Sequence, residues 1–187
     1  MILYNEKIKP ILEDLENPEI ELAGGSTVGM VLSITASLII YICNLTIGKK
    51  SYENVQEEVI KIQKEAYEIK KKALNVIDQD RIVLDKVLKA YKIRKTEPNE
   101  LEQASKESVL FCYDVMEETI KTLELVNRLE KVGNKMLVSD FNICKKYSIS
   151  CMESSIINIE INLKYIKDEK FINDIRKKYE ENKKIYL

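Results

Sequence analysis

Residues 55–90 read VQEEVIKIQKEAYEIKKKALNVIDQDRIVLDKVLKA, and their apolar positions recur at alternating steps of four and three. Such steps keep side chains on one face of a helix. The row consists of Val55, Val59, Ile62, Ala66, Ile69, Ala73, Val76, Asp80, Val83, Val87 and Ala90. We therefore predict a long helix over residues 52–93. At about 1.5 Å per residue it would reach about 60 Å, and this length favours a kink near residues 78–80.

Asp80 is the one charged member of this row. Because an unpaired buried charge is too costly to keep, Asp80 must either face a partner or line a pocket. In the first case it forms an ion pair with a Lys or Arg of another helix, or fixes the register of the packing. In the second case it is a partly dry carboxylate that acts as a general base, with a pKa open to elevation.

The composition of the chain favours a single all-α domain. The 187 residues include only 5 Gly and 3 Pro and show no alternating strand pattern, so we predict one helical bundle over residues 1–187. Lys plus Arg number 30 against 31 Asp plus Glu, and this balance gives no sign of a nucleic-acid partner. The lack of histidine excludes a histidine base and a histidine-ligated metal, and we expect neither a metal nor a cofactor.

The cysteines and the first residues favour a cytoplasmic protein. Cys43, Cys112, Cys144 and Cys151 form no CxxC pair and stand among apolar or small residues, which is typical of buried thiols in a reducing compartment. The opening residues, MILYNEK, lack the basic-then-apolar order of a signal peptide.

The segment over residues 22–48 carries no charge. It is long enough to span a bilayer. It also carries many Ser, Thr and Asn residues, which raise the cost of inserting a lone span. Helices that are apolar all round also lie at the centre of bundles. We predict that central position here, and no membrane span.

A later helix, over residues 139–167, has two faces that both suit burial. One face is apolar, from Ile149 to Ile166, and the other is small and polar, from Phe141 to Tyr165. Together with the uncharged helix, these faces offer more surface for burial than five helices readily cover. We therefore predict a symmetric homodimer that buries part of both.

The turn Gly24-Gly25-Ser26-Thr27 opens the uncharged helix. Free backbone N–H groups and the helix dipole make such a turn a favourable anion or oxyanion site. The alternative is an ordinary N-cap, in which the glycines only permit a tight turn.

Several segments, taken in order, match one known pattern. They are AGGS at 23–26, NLTIGKKSYE at 44–53, IDQD at 77–80, AYK at 90–92, GN at 133–134, VSD at 138–140 and NIEINL at 158–163. Together they resemble the signature of the cyclodeaminase/cyclohydrolase family, over nearly the whole chain. That family contains the cyclodeaminase domain of formiminotransferase-cyclodeaminase and stand-alone bacterial methenyltetrahydrofolate cyclohydrolases. The chain departs from the pattern where Leu22 and Ala23 replace Pro-Gly, and at Leu84, where an aromatic residue is common.

The resemblance implies an all-α protein, usually a homodimer, that handles folate one-carbon units. We expect it to hydrolyse 5,10-methenyltetrahydrofolate to 10-formyltetrahydrofolate with a carboxylate base. An alternative in the same family is cyclodeamination of formiminotetrahydrofolate with release of ammonia. A further alternative is a non-catalytic helical protein that binds folate or a protein partner.

Under this resemblance, Asp80 or Asp140 is the expected base, although Asp140 also suits a simple helix cap. The turn at 24–27 would bind substrate and stabilise negative charge on oxygen, and Lys49 would suit the glutamate tail. Asn158 and Asn162, one helical turn apart, could hydrogen-bond a flat pterin ring, with Asn134 as a further polar contact. The expected folate pocket is lined by Gly25, Ser26, Asp80, Asp140 and Asn162.

Overall fold

The computed structural model describes residues 8–20 and 22–186, and within these ranges the regular structure is helical. The helices are α1 (Lys9–Glu16), α2 (Gly24–Asn44), α3 (Gln56–Lys92), α4 (Pro98–Val132), α5 (Val138–Leu163) and α6 (Glu169–Tyr186). Short 3-10 segments, Lys50–Val55 and Lys135–Leu137, lead into α3 and α5. The predicted all-α class is confirmed. The sequence also predicts a short amphipathic helix over residues 1–15, and residues 1–7 of it lie outside the described residues.

Helices α2 to α5 form an antiparallel four-helix bundle. Helix α2 packs against α3 and α5, and α4 packs against the same two helices from the opposite side. The largest buried side chains come from all four helices: Phe141, Leu32, Ile39, Ile42, Ile62, Met116, Leu125, Leu129, Met152 and Ile159.

Helix α3 buries the row that the sequence predicts. Nine of its members are buried: Val59, Ile62, Ala66, Ile69, Ala73, Val76, Asp80, Val87 and Ala90. The kink predicted near residues 78–80 is wrong, because α3 is one helix of 37 residues. Its packing on both α2 and α4 supports the extra length.

Helix α2 is buried along one side and exposed along the other. Its core row includes Leu32, Ala36 and Ile39, none of which is exposed, whereas Ile34 and Tyr41 on the outward side are 55% and 51% exposed. Of the described helices, α2 is long and apolar enough to cross a membrane, and 56% of its most apolar window is buried within the bundle. That burial fits the predicted core helix.

Candidate active site

Asp80 is held at the first turn of α2 by Ser26. The backbone N–H of Ser26 donates to Asp80 Oδ2 at 2.7 Å, and the Ser26 hydroxyl lies 2.9 Å from the same oxygen. Among the described residues no Lys or Arg forms an ion pair with Asp80. The ion-pair interpretation of Asp80 is therefore wrong, and the anion bound at this helix N-terminus is the carboxylate of Asp80 itself.

The environment of Asp80 favours the protonated acid. Burial raises its pKa above the ordinary value of 3.8, and the two hydrogen bonds from Ser26 only partly oppose this shift. Its other oxygen, Oδ1, accepts no hydrogen bond from the residues that the structure describes. The carboxylate is thus anchored through one oxygen and open to chemistry through the other.

The Ser26 hydroxyl has two acceptors and one proton. It lies 3.1 Å from the carbonyl oxygen of Ile77 as well as 2.9 Å from Asp80 Oδ2. When Asp80 is ionised the hydroxyl can donate to the carboxylate, and when Asp80 is protonated it can donate to Ile77 instead. Ser26 can therefore support both protonation states of the acid.

Gly25 permits the close approach of α3 to α2. A Cβ atom at Gly25 would lie 2.0 Å from Asp80 Oδ1, far inside contact distance, whereas a Cβ at Gly24 would lie an ordinary 3.5 Å from Asn158 Oδ1. The two glycines of the predicted turn therefore differ in function. Gly25 is required by the position of the carboxylate, and Gly24 is not.

A cavity of about 210 Å³ opens beside Asp80. Four helices and the turn after α5 contribute to it: Ala23, Gly24, Gly25, Asp80, Val83, Leu84, Val87, Ser108, Cys112, Asn158, Ile161, Asn162 and Tyr165. Of the three positions at which the chain departs from the family pattern, Ala23 and Leu84 line this cavity and Leu22 does not. The departures therefore change the wall of the site and leave Asp80 and Gly25 in place.

Asn158 and Asn162 present amide groups to the cavity from one face of α5, as their spacing predicts. The Asn162 amide donates to the backbone oxygen of Asn158 at 2.8 Å, which leaves its own side-chain oxygen available. The side chain of Asn158 makes no hydrogen bond within the described part of the chain. These groups can donate to and accept from a planar heterocycle.

The sequence did not identify Ser108 and Cys112 as site residues. Both are buried on α4 and line the cavity opposite α2. Burial, and then the charge of Asp80, raise the pKa of Cys112 to about 12, so this thiol stays protonated and acts as a small apolar wall. In the sequence, Cys112 belongs to an apolar row that runs from Leu101 to Leu129 at helical spacing, but such a row does not reveal which of its members border a cavity.

Two members of the predicted turn do not line the cavity. Ser26 is fully buried behind Asp80, and its contacts position the carboxylate. The Thr27 hydroxyl donates to the Gly24 carbonyl at 2.6 Å, within the first turn of α2. The turn therefore meets the cavity through Gly24 and Gly25.

Three predicted site residues, Lys49, Asn134 and Asp140, lie at the other end of the bundle. We call this the distal end, residues 45–56 and 133–140, where α2 turns into α3 and α4 into α5. Helix α2 has 21 residues and is about 30 Å long at 1.5 Å per residue. Within one chain the structure therefore does not bring these residues to the cavity, and the expected pocket containing Asp140 is wrong for the single chain.

The polar groups of Asn134 form hydrogen bonds with other residues of the distal end. Its backbone N–H donates to Thr46 Oγ1 at 3.0 Å, and its side-chain amide donates to the Leu45 carbonyl at 3.2 Å. Its side-chain oxygen accepts from the Met136 N–H at 3.1 Å and lies 3.4 Å from the Tyr52 hydroxyl. Asn134 is 4% exposed and joins two connections of the bundle.

Lys49 and Asp140 have different positions at this end. Lys49 is exposed beside Gly48 and Gln56 in a surface depression. Asp140 is half-buried in the first turn of α5. Burial, and then the charge of Asp140, raise the pKa of the nearby Cys144 thiol to about 12. The cap position of α5 belongs to Leu137, so the helix-cap interpretation of Asp140 is also not what the structure shows.

Comparisons with known proteins agree with this geometry. A family model described as formiminotransferase-cyclodeaminase matches residues 7–181. The chain is 27% identical to the methenyltetrahydrofolate cyclohydrolase of Methylorubrum extorquens, over 94% of this chain and 88% of that protein. Its structure matches the crystal structure of formiminotetrahydrofolate cyclodeaminase from Thermotoga maritima with a TM-score of 0.88 and 26% identity, covering 97% of this chain and 90% of the other. The resemblance found in the sequence is confirmed, and the chain belongs to the formiminotransferase-cyclodeaminase family.

Proposed function

We propose that this protein is an enzyme of folate one-carbon metabolism that hydrolyses 5,10-methenyltetrahydrofolate to 10-formyltetrahydrofolate. The observation that carries the proposal is Asp80, a buried carboxylate anchored by Ser26 through one oxygen and left open through the other, beside a cavity. The relative from Methylorubrum extorquens is named for this reaction.

The substrate makes a carboxylate a suitable catalyst. The reacting carbon belongs to a cyclic amidinium cation, which the ionised Asp80 attracts in a partly dry site. Water forms a bond to this carbon while Asp80 accepts one of its protons. The hydroxyl oxygen of this adduct then loses its proton to solvent and becomes the formyl carbonyl as the bond from carbon to N5 breaks. N5 takes the proton held by Asp80, so the formyl group remains on N10, Asp80 is ionised again and one proton is released in total.

The neighbours of Asp80 support each stage of this reaction. Ser26 can stabilise the ionised base and can turn its proton to Ile77 once Asp80 is protonated. The first N–H groups of a helix have no intrahelical partner, and Gly24 and Gly25 bring this part of α2 to the cavity, where it can stabilise developing negative charge. Asn158 and Asn162 would hold the pterin ring.

Cyclodeamination is the second candidate, because the structural relative from Thermotoga maritima is named for it. Formiminotetrahydrofolate would close to the methenyl form while the departing nitrogen takes a proton and leaves as ammonia. The raised pKa of Asp80 suits this proton donor as well.

Assays with the two candidate substrates distinguish the two reactions. Purified protein, treated with EDTA, is incubated with methenyltetrahydrofolate, and loss of the methenyl chromophore is compared with the buffer rate. Acceleration supports the hydrolase, and no acceleration contradicts it. Ammonia release from formiminotetrahydrofolate would support the deaminase, and folate binding without either reaction would indicate a non-catalytic protein. We expect EDTA to have no effect, since a carboxylate base requires no metal or cofactor.

We also propose that the enzyme is a homodimer formed through the uncharged outward face of α2 and α5. We call this the α2–α5 face: Met30, Ile34, Leu38, Tyr41, Ile143, Tyr147, Ile157 and Ile161. Its side chains recur at helical spacing and several are strongly exposed, with Ile157 at 67% and Ile34 at 55%. Contiguous apolar surface of this kind is typical of an interface. Ile161 also lines the cavity, so the partner would lie close to the site.

Light scattering during gel filtration tests the dimer. The wild-type protein should elute with twice the mass of one chain, and Ile34→Lys should elute as a monomer because it places a charge within the α2–α5 face. Lys61→Glu, on the charged side of α3, should leave the dimer intact. A monomeric wild-type protein would contradict the proposal.

We also propose that the protein is cytoplasmic. The four cysteines are all buried and unpaired, which suits a reducing compartment. Fluorescence microscopy of a fusion to the full chain tests it, and a signal confined to the cell envelope would contradict it.

A further inference from the structure

The cavity at Asp80 encloses only part of a folate. Its volume of about 210 Å³ lies below the roughly 300–1,000 Å³ of pockets that enclose small organic ligands. A folate consists of a pterin, an aminobenzoyl ring and an anionic glutamate. If the pterin end meets Asp80, as the proposed function requires, the aminobenzoyl ring and the glutamate must extend across the surface beyond the cavity.

Two tyrosines mark a path out of the cavity. Tyr165 lines it, and the ring of Tyr91 lies 5.8 Å from the ring of Tyr165 in an edge-to-face arrangement with an interplanar angle of 72°. Both are more than a third exposed. Tyr91 also continues the face of α3 that contributes Asp80, Leu84 and Val87 to the cavity, about 17 Å beyond Asp80 at 1.5 Å per residue.

Arg94 lies at the end of this path. Its guanidinium carbon is 3.8 Å from the centre of the Tyr91 ring, and its Nη1 donates to the Tyr91 carbonyl at 2.7 Å. These contacts fix the plane of the guanidinium. Within the described residues Arg94 has no carboxylate partner, whereas Arg128 is paired with Glu58 and Glu65.

We propose that Tyr91, Tyr165 and Arg94 form the subsite for the tail of the folate, an inference that rests on the proposed function. The tyrosine rings contact the aminobenzoyl ring, and the guanidinium of Arg94 binds a carboxylate of the glutamate. A stacked guanidinium is oriented in advance, so little rotamer freedom is lost when a planar carboxylate binds it through two N–H groups. Lys49, at the distal end, cannot serve a folate held at Asp80 of the same chain.

The test compares Arg94→Ala with the wild type on two substrates. One is methenyltetrahydrofolate with a single glutamate. The other is the N-methylamide of methenyltetrahydropteroate, which keeps the aminobenzoyl amide and has neither carboxylate of the glutamate. For the first substrate we expect KM to rise about tenfold, the effect of one exposed charge-assisted contact, with kcat unchanged because the contact is remote from the reacting carbon. For the second substrate the variant and the wild type should agree.

Matched variants separate the tail subsite from a general change of charge. Lys49→Ala removes one positive charge from the distal end and should change neither parameter. Tyr91→Ala removes the ring that contacts the aminobenzoyl group and should raise KM for both substrates. If Arg94→Ala raises KM equally for both substrates, or for neither, the tail subsite is wrong.

The same experiments distinguish a failure of the proposed function from a failure of the tail subsite. A wild-type protein that turns over neither substrate contradicts the hydrolase, whatever Arg94 does. Calorimetric titration with tetrahydrofolate then tests the subsite without catalysis. Weaker binding to Arg94→Ala than to Lys49→Ala would support the subsite, and equal binding would contradict it.

Discussion

The polar groups at the two ends of the bundle differ in whether they have hydrogen-bond partners among the described residues. At the distal end, Asn134 and Thr46 pair with one another and with neighbouring groups, so the polar atoms of Asn134 have partners within the chain. At the cavity end, Asp80 Oδ1 and the Asn158 amide have no hydrogen-bond partner among the described residues. Satisfied polar groups stabilise a fold, and unsatisfied ones at a cavity are available to a ligand. The contrast fits the proposal that the cavity end binds the substrate, while the distal end joins the helices.

The largest expected effect follows from removing the charge at the cavity end. Asp80→Asn keeps the shape and an acceptor for Ser26, and should reduce turnover by about a hundredfold or more, as expected for a lost general base. Asp140→Asn, at the distal end, should retain most of the activity. Chromophore assays of both variants check this, and equal losses would show that the two ends do not divide the functions as described.

Thermal and urea unfolding of Asp80→Asn should show no loss of stability. Because burial raises the pKa of Asp80 in the folded state, its contribution to stability is fully present below the ordinary value of 3.8 and is lost as the pH rises through the raised pKa. The variant lacks this titration, so its advantage over the wild type should grow with pH. Strong destabilisation with normal turnover per folded molecule would instead make Asp80 a structural residue.

A methyl group at Gly25 should affect activity almost as strongly. Its Cβ would overlap Asp80 Oδ1, so Gly25→Ala must displace the carboxylate, and a misplaced catalytic group costs about tenfold to a hundredfold in rate. Gly24→Ala is the matched control, since the corresponding contact there is an ordinary 3.5 Å. Similar kcat values for the two variants would contradict the requirement for glycine at position 25.

Two asparagine variants test the contrast from both ends. Asn134→Ala leaves partners unsatisfied in the distal network and should lower the free energy of unfolding by about 1–3 kcal/mol, with unchanged turnover per folded molecule. Asn158→Ala removes a half-buried side chain without hydrogen bonds, and should reduce activity with little change in stability. Urea unfolding and steady-state assays would reveal a reversal of this pattern.

The smallest expected effect is a change in pH dependence at Ser26. Ser26→Ala removes a hydrogen bond that favours the ionised carboxylate, so the pKa of Asp80 should rise further. The acid limb of kcat/KM should therefore move to higher pH. Thr27→Ala removes a hydroxyl that bonds only within its own turn and should leave the limb in place. Identical pH profiles for the two variants would contradict the positioning of Asp80 by Ser26.

The fold was largely predictable because helical rows are local. Nine of the eleven positions in the predicted row are buried in α3, including Asp80, since steps of four and three fix a face without knowledge of its partner. The uncharged segment likewise became α2. The unbroken course of α3 was not predictable, because its support comes from packing on two other helices.

Site residues could be predicted from the sequence only where they lie in one turn or on one face of a single helix. The structure brings Gly25, Asp80, Asn158 and Asn162 together around one cavity, and their roles there stay predictions. Ser108, Cys112 and Tyr165 were missed as cavity residues, because a single sequence does not reveal which faces meet around a void. The sequence already contained a reason not to place Lys49 beside Gly24 in one pocket. Its distance from Gly24 along one helix already placed the two residues at opposite ends.

The bond between Thr46 and Asn134 has a consequence for the order of folding. It joins residues 88 positions apart, and it connects the α2–α3 hairpin to the α4–α5 hairpin. Helical hairpins close through local contacts, whereas pairing them requires closure of a long loop and comes later. The Asn134 amide proton should therefore gain protection from hydrogen exchange only when the hairpins join. Pulse labelling during refolding would measure when this backbone N–H becomes protected, and that time would report when the two hairpins pair.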